Sequence, residues 1–184
     1  MAPLVTALRA AGVTPNAVSA VGAVLTLVGA LLLATGSAWP SFVVLLLGTA
    51  ADTLDGELAR RSGRESVFGA FLDSTLDRLG DAALFVGTAV LASNHGDGTF
   101  LVVSLWALSA SSLVPYTRAK AESLGRSAAV GLAPREARTA IVLAGVALWA
   151  ALGDTSALVI SVALTALLAT GTVAQRIAHV AKQG

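Results

Sequence analysis

The sequence contains no cysteine among its 184 residues, which excludes disulfide bonds, thiolate metal sites and thiol nucleophiles together. Charged residues are scarce, at 12%, and they nearly balance to a formal net charge of +1. Aromatic residues make up 5%, and no basic patch with interleaved aromatics occurs, so nothing points to a nucleic-acid partner. These absences remove several classes of protein before any motif is considered.

Hydrophobic residues make up 55% of the chain, and the mean hydropathy of +0.80 is typical of an integral membrane protein. No charged residue lies between Arg9 and Asp52, and breaks near 36–40 divide this run into one complete span and the start of a second. The same reasoning predicts four more helices, one that begins near Ser66 and continues to about 93, and others over 99–117, 139–153 and 155–175. We therefore predict an all-α integral membrane protein, a single transmembrane domain over 1–184 with six helices of roughly 20 residues each.

Lysine and arginine are distributed unevenly along this predicted topology. They occur before the first helix, between the second and third, between the fourth and fifth, and after the sixth. The segments near 36–40, 93–98 and 153–154 contain none. Because cytoplasmic loops collect Lys and Arg, we expect both termini in the cytoplasm and a multi-pass protein of the cell membrane.

Four aspartates interrupt the apolar pattern, in the segment DTLDGELARRSGRESVFGAFLDSTLD. Asp52 and Asp55 are three residues apart, and Asp73 and Asp77 are four apart, so each pair occupies one face of a helix. With a helix break around 62–66 between the pairs, they lie at similar depth on adjacent antiparallel helices. The four carboxylates are therefore expected to converge near the cytoplasmic boundary of the membrane.

Carboxylates at this depth are costly unless a cation accompanies them, because each charge is expensive in the membrane and close like charges repel. All-oxygen ligation without neighbouring His or Cys favours a hard divalent ion, Mg²⁺ or Mn²⁺. The alternative is a set of salt bridges in which Asp73 or Asp77 pairs with Arg60, Arg61 or Arg78. Four acids on two helices exceed what helix ends require, so we predict a metal site formed by the four aspartates.

Small residues in the same segment leave space beside the carboxylates. Gly56 and Ala59 continue the face of the first aspartate pair, and Gly69 lies one turn before Asp73. Small residues in membrane helices usually serve close packing between helices. Beside a metal cluster, they also predict a cleft for a flat ligand.

The spacing of these residues resembles the signature of the CDP-alcohol phosphotransferases. The matching residues, at every fixed interval of that signature, are Asp52, Asp55, Gly56, Ala59, Arg60, Gly69, Asp73 and Asp77. The resemblance covers essentially the whole chain, since the family's six helices and cytoplasmic active site agree with the predicted topology. It implies that a CDP-linked lipid gives its phosphatidyl group to an alcohol and releases CMP, and that the protein is a homodimer.

The resemblance also implies roles for individual residues. The aspartates hold one or two divalent metal ions against the pyrophosphate, and Asp77 in addition accepts the proton of the attacking hydroxyl. The segment GVTPNAVS resembles the family's entry to the first helix. The implied nucleotide and CDP-lipid-binding residues are Thr14, Pro15, Asn16, Asp52, Gly56, Ala59, Arg60 and Gly69. For Thr14 the open alternative is a helix cap, with Pro15 at the first helical position.

Basic residues on the last three predicted helices bear on the acceptor alcohol. Arg118 lies at the end of the fourth helix, Arg135 and Arg138 at the start of the fifth, and Arg176 in the sixth. Other cations of these loops fit the ordinary positive-inside pattern. Arginines contributed by three helices suit a phosphate dianion through forked, charge-assisted hydrogen bonds. We therefore predict an acceptor alcohol that carries a phosphate.

The segments YTRAKAE, PREAR and QR most resemble the actinobacterial phosphatidylinositol phosphate synthases of this family, which join CDP-diacylglycerol to inositol 1-phosphate. Two features depart from that branch, Pro115 in place of a common Ser and APREAR in place of ERPER. Three alternatives remain open at this point. One is a phosphatidylglycerophosphate synthase using glycerol 3-phosphate, one an inositol phosphate synthase acting on an archaeal ether lipid, and one a cation transporter.

Overall fold

A computed structural model describes residues 2–62 and 66–183, except for the side chains of residues 2–4 and 62. The described residues form helices and contain no strand, which confirms the all-α prediction. The helices are α1 (Ala2–Ala10), α2 (Pro15–Ala34), α3 (Ala38–Ser62), α4 (Val67–Asn94), α5 (Gly98–Ser123), α6 (Arg135–Leu152) and α7 (Ser156–Ala181). Helices α2 to α7 correspond to the six that the apolar pattern predicts.

Several helices are longer than the apolar segments that predicted them. Helix α5 continues to Ser123, α6 begins at Arg135, and α7 continues to Ala181. A helix keeps its backbone hydrogen bonds where its sequence becomes polar, so hydropathy alone predicts helices that are too short. The extra turns matter because Arg135 and its neighbours become helical and are held at fixed positions.

Polar side chains determine where two of the helices begin. Thr14 accepts a hydrogen bond from the backbone amide of Ala17 at 3.3 Å, and Ser66 accepts one from that of Gly69 at 2.9 Å. Such caps satisfy amides at the start of a helix that lack a partner within it. The predicted break between α3 and α4 includes Gly63, which lies outside the described residues.

The six long helices form a closed ring. Each packs against two others, in the order α2, α3, α6, α7, α5, α4 and back to α2, while α1 lies against α3. Arg9 of α1 donates a hydrogen bond from Nη1 to the carbonyl oxygen of Arg61 at 3.3 Å, which satisfies one of the last carbonyls of α3. The ring encloses a space that side chains from several helices share.

Within the described ranges, three helices are long and apolar enough to cross a membrane, Pro15–Ala34, Gly98–Ser123 and Ser156–Ala181. Outward side chains on two of them, such as Leu31 and Ile160, are 65% and 67% exposed, as expected for residues that face lipid. The main apolar core includes Leu91, Phe100 and Leu158 and lies, by position along the helices, toward the end of the ring opposite the aspartates.

Glycines bring α2 close to both of its neighbours. A Cβ added at Gly87 of α4 would lie 2.6 Å from the carbonyl oxygen of Ala30, and one at Gly29 would lie 2.7 Å from the side chain of Leu45 in α3. Small residues at helix crossings allow such close approach of two backbones. Close packing therefore explains these glycines, and the glycines of the predicted site need a separate test.

Candidate active site

The carboxylates of α3 and α4 meet across the interior of the ring. One oxygen from each of Asp52, Asp55 and Asp73 lies within 4.8 Å of the others. The two helices were expected to be adjacent, but within the described residues each packs along α2 and not against the other. Side chains of α2, α3 and α4 therefore line the site together.

Asp55 provides a test of whether this cluster fits a metal ion. Its side chain is buried, with 5% exposure, and its Oδ2 has no hydrogen-bond partner among the described residues. Leaving a buried carboxylate oxygen unpartnered is costly, and native structures usually satisfy such atoms. A divalent cation held by all-oxygen ligands removes this cost, so the residues present fit Mg²⁺ or Mn²⁺.

Arg135 lies among the same carboxylates. Its Nη1 is 2.8 Å from Asp77 Oδ1 and 3.1 Å from Asp52 Oδ2, and its Nε is 3.3 Å from Asp81 Oδ1. Arg135 is the first residue of α6, where a positive charge is unfavourable beside the partial positive charge of the helix N-terminus. Three carboxylates offset this repulsion. Asp77 therefore does form a salt bridge, although with α6 and not with an arginine of α3 or α4.

Sequence reasoning missed two residues of this region. Asp81 lies one turn after Asp77, so the four-residue spacing that groups Asp73 with Asp77 also extends to it and was a usable signal. Ser19 of α2 donates a hydrogen bond to the carbonyl oxygen of Pro15 at 3.2 Å and lines the site. Nothing in the local sequence distinguishes Ser19 from other small polar residues of α2.

Two clefts meet at the carboxylates. The outer cleft, of about 290 Å³, is lined by residues that include Pro15, Asn16, Gly56, Ala59, Arg60 and Gly69. The inner cleft, of about 170 Å³, is lined by residues that include Asp52, Asp77, Asp81, Arg135 and the apolar side chains of Leu45, Leu84 and Leu143. Ser19, Asp55 and Asp73 line both clefts, so these side chains stand at the junction.

The outer cleft brings together most of the residues predicted to bind the nucleotide. Thr14 does not line the cleft and instead caps α2, which is the alternative left open for it. Asp52 lines the inner cleft. Arg60 forms an ion pair with Glu57 at 2.9 Å on the exposed side of α3.

The other three arginines predicted to bind phosphate lie on the α5, α6 and α7 side of the ring. Arg118 and Arg138 are close enough to Arg176 for their like charges to interact. Arg118 pairs with Glu122 at 2.9 Å, while Arg138 is 5% exposed and donates to the carbonyl oxygen of Ala133 at 2.9 Å. Arg176 donates to carbonyl oxygens of α5 and of the loop before α6. The fold thus places Arg118 and Arg138 near Arg176, and Arg138 also lies beside Asp81 and Arg135, the arginine that contacts the aspartates.

Comparison with known proteins gives this site a class. The model of a family described as CDP-alcohol phosphatidyltransferase matches residues 12–174. The chain is 40% identical to the phosphatidylinositol phosphate synthase of Cutibacterium acnes over 157 residues. The matched region covers 79% of this chain and 72% of that relative. The fold and the site are those of a helical enzyme of phospholipid synthesis. The chain belongs to the CDP-alcohol phosphatidyltransferase family.

A second relative is the archaetidylinositol phosphate synthase of Methanothermobacter thermautotrophicus, 45% identical over 112 residues, which span 61% of this chain and 55% of that protein. Crystal structures of Mycobacterium tuberculosis phosphatidylinositol phosphate synthase are also similar, at 31% identity over 97% of this chain. The complex with manganese and citrate gives a TM-score of 0.89 and 87% coverage of that chain. The form with CDP-DAG bound gives a TM-score of 0.88 and 92% coverage of that chain. The family resemblance read from the sequence is therefore confirmed, and a cation transporter is set aside.

Proposed function

We propose that this enzyme transfers the phosphatidyl group of CDP-diacylglycerol to inositol 1-phosphate and releases CMP. The observation that carries the proposal is the junction of the two clefts at Asp55 and Asp73. A nucleotide in the outer cleft brings its pyrophosphate to the carboxylates, and an alcohol in the inner cleft reaches the same phosphorus from the other side. The named activity of the Cutibacterium acnes relative and the CDP-DAG bound to the Mycobacterium tuberculosis enzyme support this assignment.

The outer cleft binds the CDP group in this proposal. Among the described residues, a Cβ added at Gly56 would meet Arg60 Nη1 at 3.5 Å, which is an ordinary contact. Packing within the protein therefore does not explain the glycine, whereas space for a flat cytidine does. The residues assigned to the nucleotide are Pro15, Asn16, Gly56, Ala59, Arg60 and Gly69, with Asp52 at the pyrophosphate and Thr14 acting through the α2 cap.

Gly56→Ala is expected to raise the KM for CDP-diacylglycerol by about tenfold, because one added methyl group in a fitted pocket costs roughly 10-fold to 200-fold in discrimination. Its thermal stability in detergent should match the wild type. Gly87→Ala is the matched comparison, and it should lower the stability of the fold while leaving the KM for CDP-diacylglycerol at the wild-type value. The added Cβ would overlap the backbone of Ala30 and destabilise the fold by about 1–3 kcal/mol. A wild-type KM in Gly56→Ala would contradict the cleft assignment.

Asp52, Asp55 and Asp73 would hold the divalent metal ion, Mg²⁺ or Mn²⁺, with Asp77 beside them. When bound, the ion offsets the negative charge of the pyrophosphate and of the departing CMP. The manganese in the related Mycobacterium tuberculosis structure supports this site, as does the unpartnered Oδ2 of Asp55.

Asp77 is the general base in this proposal. The acceptor hydroxyl oxygen attacks the phosphorus of the diacylglycerol phosphate, its proton passes to the Asp77 carboxylate, and the bond from that phosphorus to the CMP oxygen breaks. Asp77 lines the inner cleft, where the acceptor would lie, and Arg135 orients its carboxylate through Oδ1. The choice of Asp77 among the four aspartates rests on the family pattern.

Arg118, Arg135, Arg138 and Arg176 bind the acceptor phosphate in this proposal. Arg135 reaches the inner cleft directly. The other three hold like charges near one another, and Glu122 partly offsets the charge at Arg176. Bringing a phosphate dianion to this region relieves the repulsion through charge-assisted hydrogen bonds.

We propose that all six long helices cross the cell membrane, with both termini and the active site on the cytoplasmic side. Helix α3 has 25 residues and α4 has 28, so at 1.5 Å per residue both exceed the roughly 30 Å hydrocarbon layer. Both pack along α2, which is apolar enough to span. The connections on the opposite side, at 35–37, 95–97 and 153–155, contain no Lys or Arg.

We further propose that the enzyme is a homodimer, as the family resemblance implies. Apolar side chains of α4, including Phe71 and Leu79, are 65% and 47% exposed and offer a face for a second copy. Light scattering of the detergent-solubilised protein tests this, with twice the protein mass of one chain as the expected result.

The acceptor is tested by incubating the purified protein with CDP-diacylglycerol, Mg²⁺ and a labelled acceptor. We expect turnover with inositol 1-phosphate and little with glycerol 3-phosphate or unphosphorylated inositol. Turnover with glycerol 3-phosphate and none with inositol 1-phosphate would instead identify a phosphatidylglycerophosphate synthase.

A second candidate differs in the lipid donor. The similarity to an archaetidylinositol phosphate synthase favours the same acceptor with an ether-linked archaeal lipid. Comparing CDP-diacylglycerol with its archaeal ether-lipid counterpart in the same assay separates the two candidates by kcat/KM.

A further inference from the structure

The guanidinium of Arg135 contacts two carboxylates that have other roles in the proposed function. Nη1 of Arg135 lies within hydrogen-bond distance of Asp52 Oδ2 and Asp77 Oδ1 at once. In the proposed function Asp52 binds a divalent ion and Asp77 receives a proton. Arg135 and the divalent ion would therefore share the single carboxylate of Asp52, whose Oδ2 Arg135 already contacts.

Asp81 is the third partner of Arg135, and neither the metal site nor the base assignment uses it. Its Oδ1 is 3.3 Å from Nε of Arg135, the guanidinium nitrogen nearest the main chain. A hydrogen bond to Nε fixes the plane of the guanidinium and leaves its terminal nitrogens for other acceptors. The Asp81 side chain is 25% exposed, compared with 38% for Asp52, so it lies in the less accessible part of the cleft.

The carboxylate of Asp81 also lies close enough to interact electrostatically with more than one arginine. Besides Arg135, its carboxylate interacts electrostatically with Arg138 and Arg78. Asp81, Arg135 and Arg138 line a small cavity together with Ser111 and Thr165, next to the inner cleft. This places Asp81 between the aspartates and the arginines assigned to the acceptor phosphate.

We infer that Asp81 is a positioning residue that holds Arg135 through Nε, so that Arg135 can leave Asp52 to a divalent ion and still present its terminal nitrogens to the acceptor phosphate. The inference rests on the proposed function. Without Asp81, the carboxylate partners left to Arg135 among the described residues are Asp52 and Asp77. Arg135 would then stay with the carboxylates that the reaction needs and would be poorly oriented toward the acceptor.

The kinetic test is a double-mutant cycle with Asp81→Asn and Arg135→Gln, measured as KM for inositol 1-phosphate and for CDP-diacylglycerol. Asp81→Asn is expected to raise the KM for the acceptor about tenfold or more, the scale of one charge-assisted hydrogen bond, with the KM for the lipid within about twofold. In the Arg135→Gln background the same change should add less than about twofold, because its effect passes through Arg135. Independent, multiplicative effects would overturn the inference.

Asp97→Asn is the matched control. Asp97 caps α5 at the opposite end of the ring, and asparagine caps helices equally well, so this variant loses the same charge without touching the site. Its two KM values should equal those of the wild type. An equal rise in the acceptor KM would mean that overall charge, and not the Asp81 contact, is responsible, and would also overturn the inference.

Mn²⁺ affinity, measured by electron paramagnetic resonance on purified protein without substrates, gives a readout that does not depend on turnover. Arg135→Gln should bind Mn²⁺ several-fold more tightly than the wild type, because a competing cation is removed. Asp81→Asn should bind it more weakly, because Arg135 then pairs with Asp52 and Asp77 alone. Unchanged affinity in both variants would refute the competition. If the wild type failed to use inositol 1-phosphate, the proposed acceptor would be wrong, but the Mn²⁺ result would still test Asp81 and Arg135.

Discussion

Asp77→Asn is expected to lower phosphatidyl transfer by about 10²-fold to 10⁴-fold, the contribution of a positioned general base. Asparagine has nearly the same shape but does not accept the proton of the acceptor hydroxyl. Asp52, Asp55 and Asp73 remain in place, so Mn²⁺ and CDP-diacylglycerol should still bind with affinities within a few-fold of the wild type. The measurements are kcat with inositol 1-phosphate and the two equilibrium affinities on the same preparation.

Asp154→Asn is the control for this variant, because Asp154 lies just before α7 at the far end of the ring and bonds locally to Ser156. It should retain full activity. Full activity in Asp77→Asn would contradict the assignment of the base. Equal loss of activity and of Mn²⁺ affinity would instead place Asp77 among the essential metal ligands.

Asp55→Asn is expected to abolish most activity while leaving the protein without metal at least as stable as the wild type. Asp55 is the most buried of the three clustered aspartates, and its Oδ2 has no partner among the described residues. Replacing it removes a buried charge whose desolvation is not fully offset until a cation binds, since one of its oxygens has no partner among the described residues. Loss of a direct metal ligand should cost more than the roughly 10-fold to 100-fold typical of an outer-shell partner.

Thermal unfolding in detergent, with EDTA and then with Mn²⁺, separates the two effects of Asp55→Asn. The wild type should gain stability with Mn²⁺, because a ligand that binds the folded state raises the Tm by mass action. Asp55→Asn should show little gain, and its Tm in EDTA should equal or exceed that of the wild type. A large Mn²⁺-dependent rise in Asp55→Asn would exclude Asp55 as a ligand.

The sequence was sufficient to predict α2 to α7 because their apolar segments are long and clearly separated, whereas the short α1 was not predicted. The order of the helices around the ring was not predictable, since lipid-facing and protein-facing sides of these helices are both rich in Ala, Leu and Val. For this reason α3 and α4 were expected to be neighbours, whereas α2 lies between them. The separation depends on close backbone approaches such as Gly87 against Ala30, which no local pattern reveals.

The spacing of the aspartates predicted the centre of the site, because residues three or four apart on a helix share a face regardless of the rest of the fold. The position of Arg135 required the structure. Its contact with Asp52 joins residues 83 apart in the chain and depends on α6 packing against α3. The sequence assigned Arg135 to the acceptor phosphate alone, and the structure adds a link to the carboxylates through Asp52, Asp77 and Asp81.

The most direct test of this account is CMP release by the purified enzyme in detergent, measured with CDP-diacylglycerol, inositol 1-phosphate and Mn²⁺. The account predicts that CMP forms in equal amount with phosphatidylinositol phosphate, that EDTA stops both, and that added Mn²⁺ restores both. CMP release that continues in EDTA, or no CMP with any phosphorylated alcohol, would contradict a metal-dependent phosphatidyl transfer at Asp52, Asp55, Asp73 and Asp77.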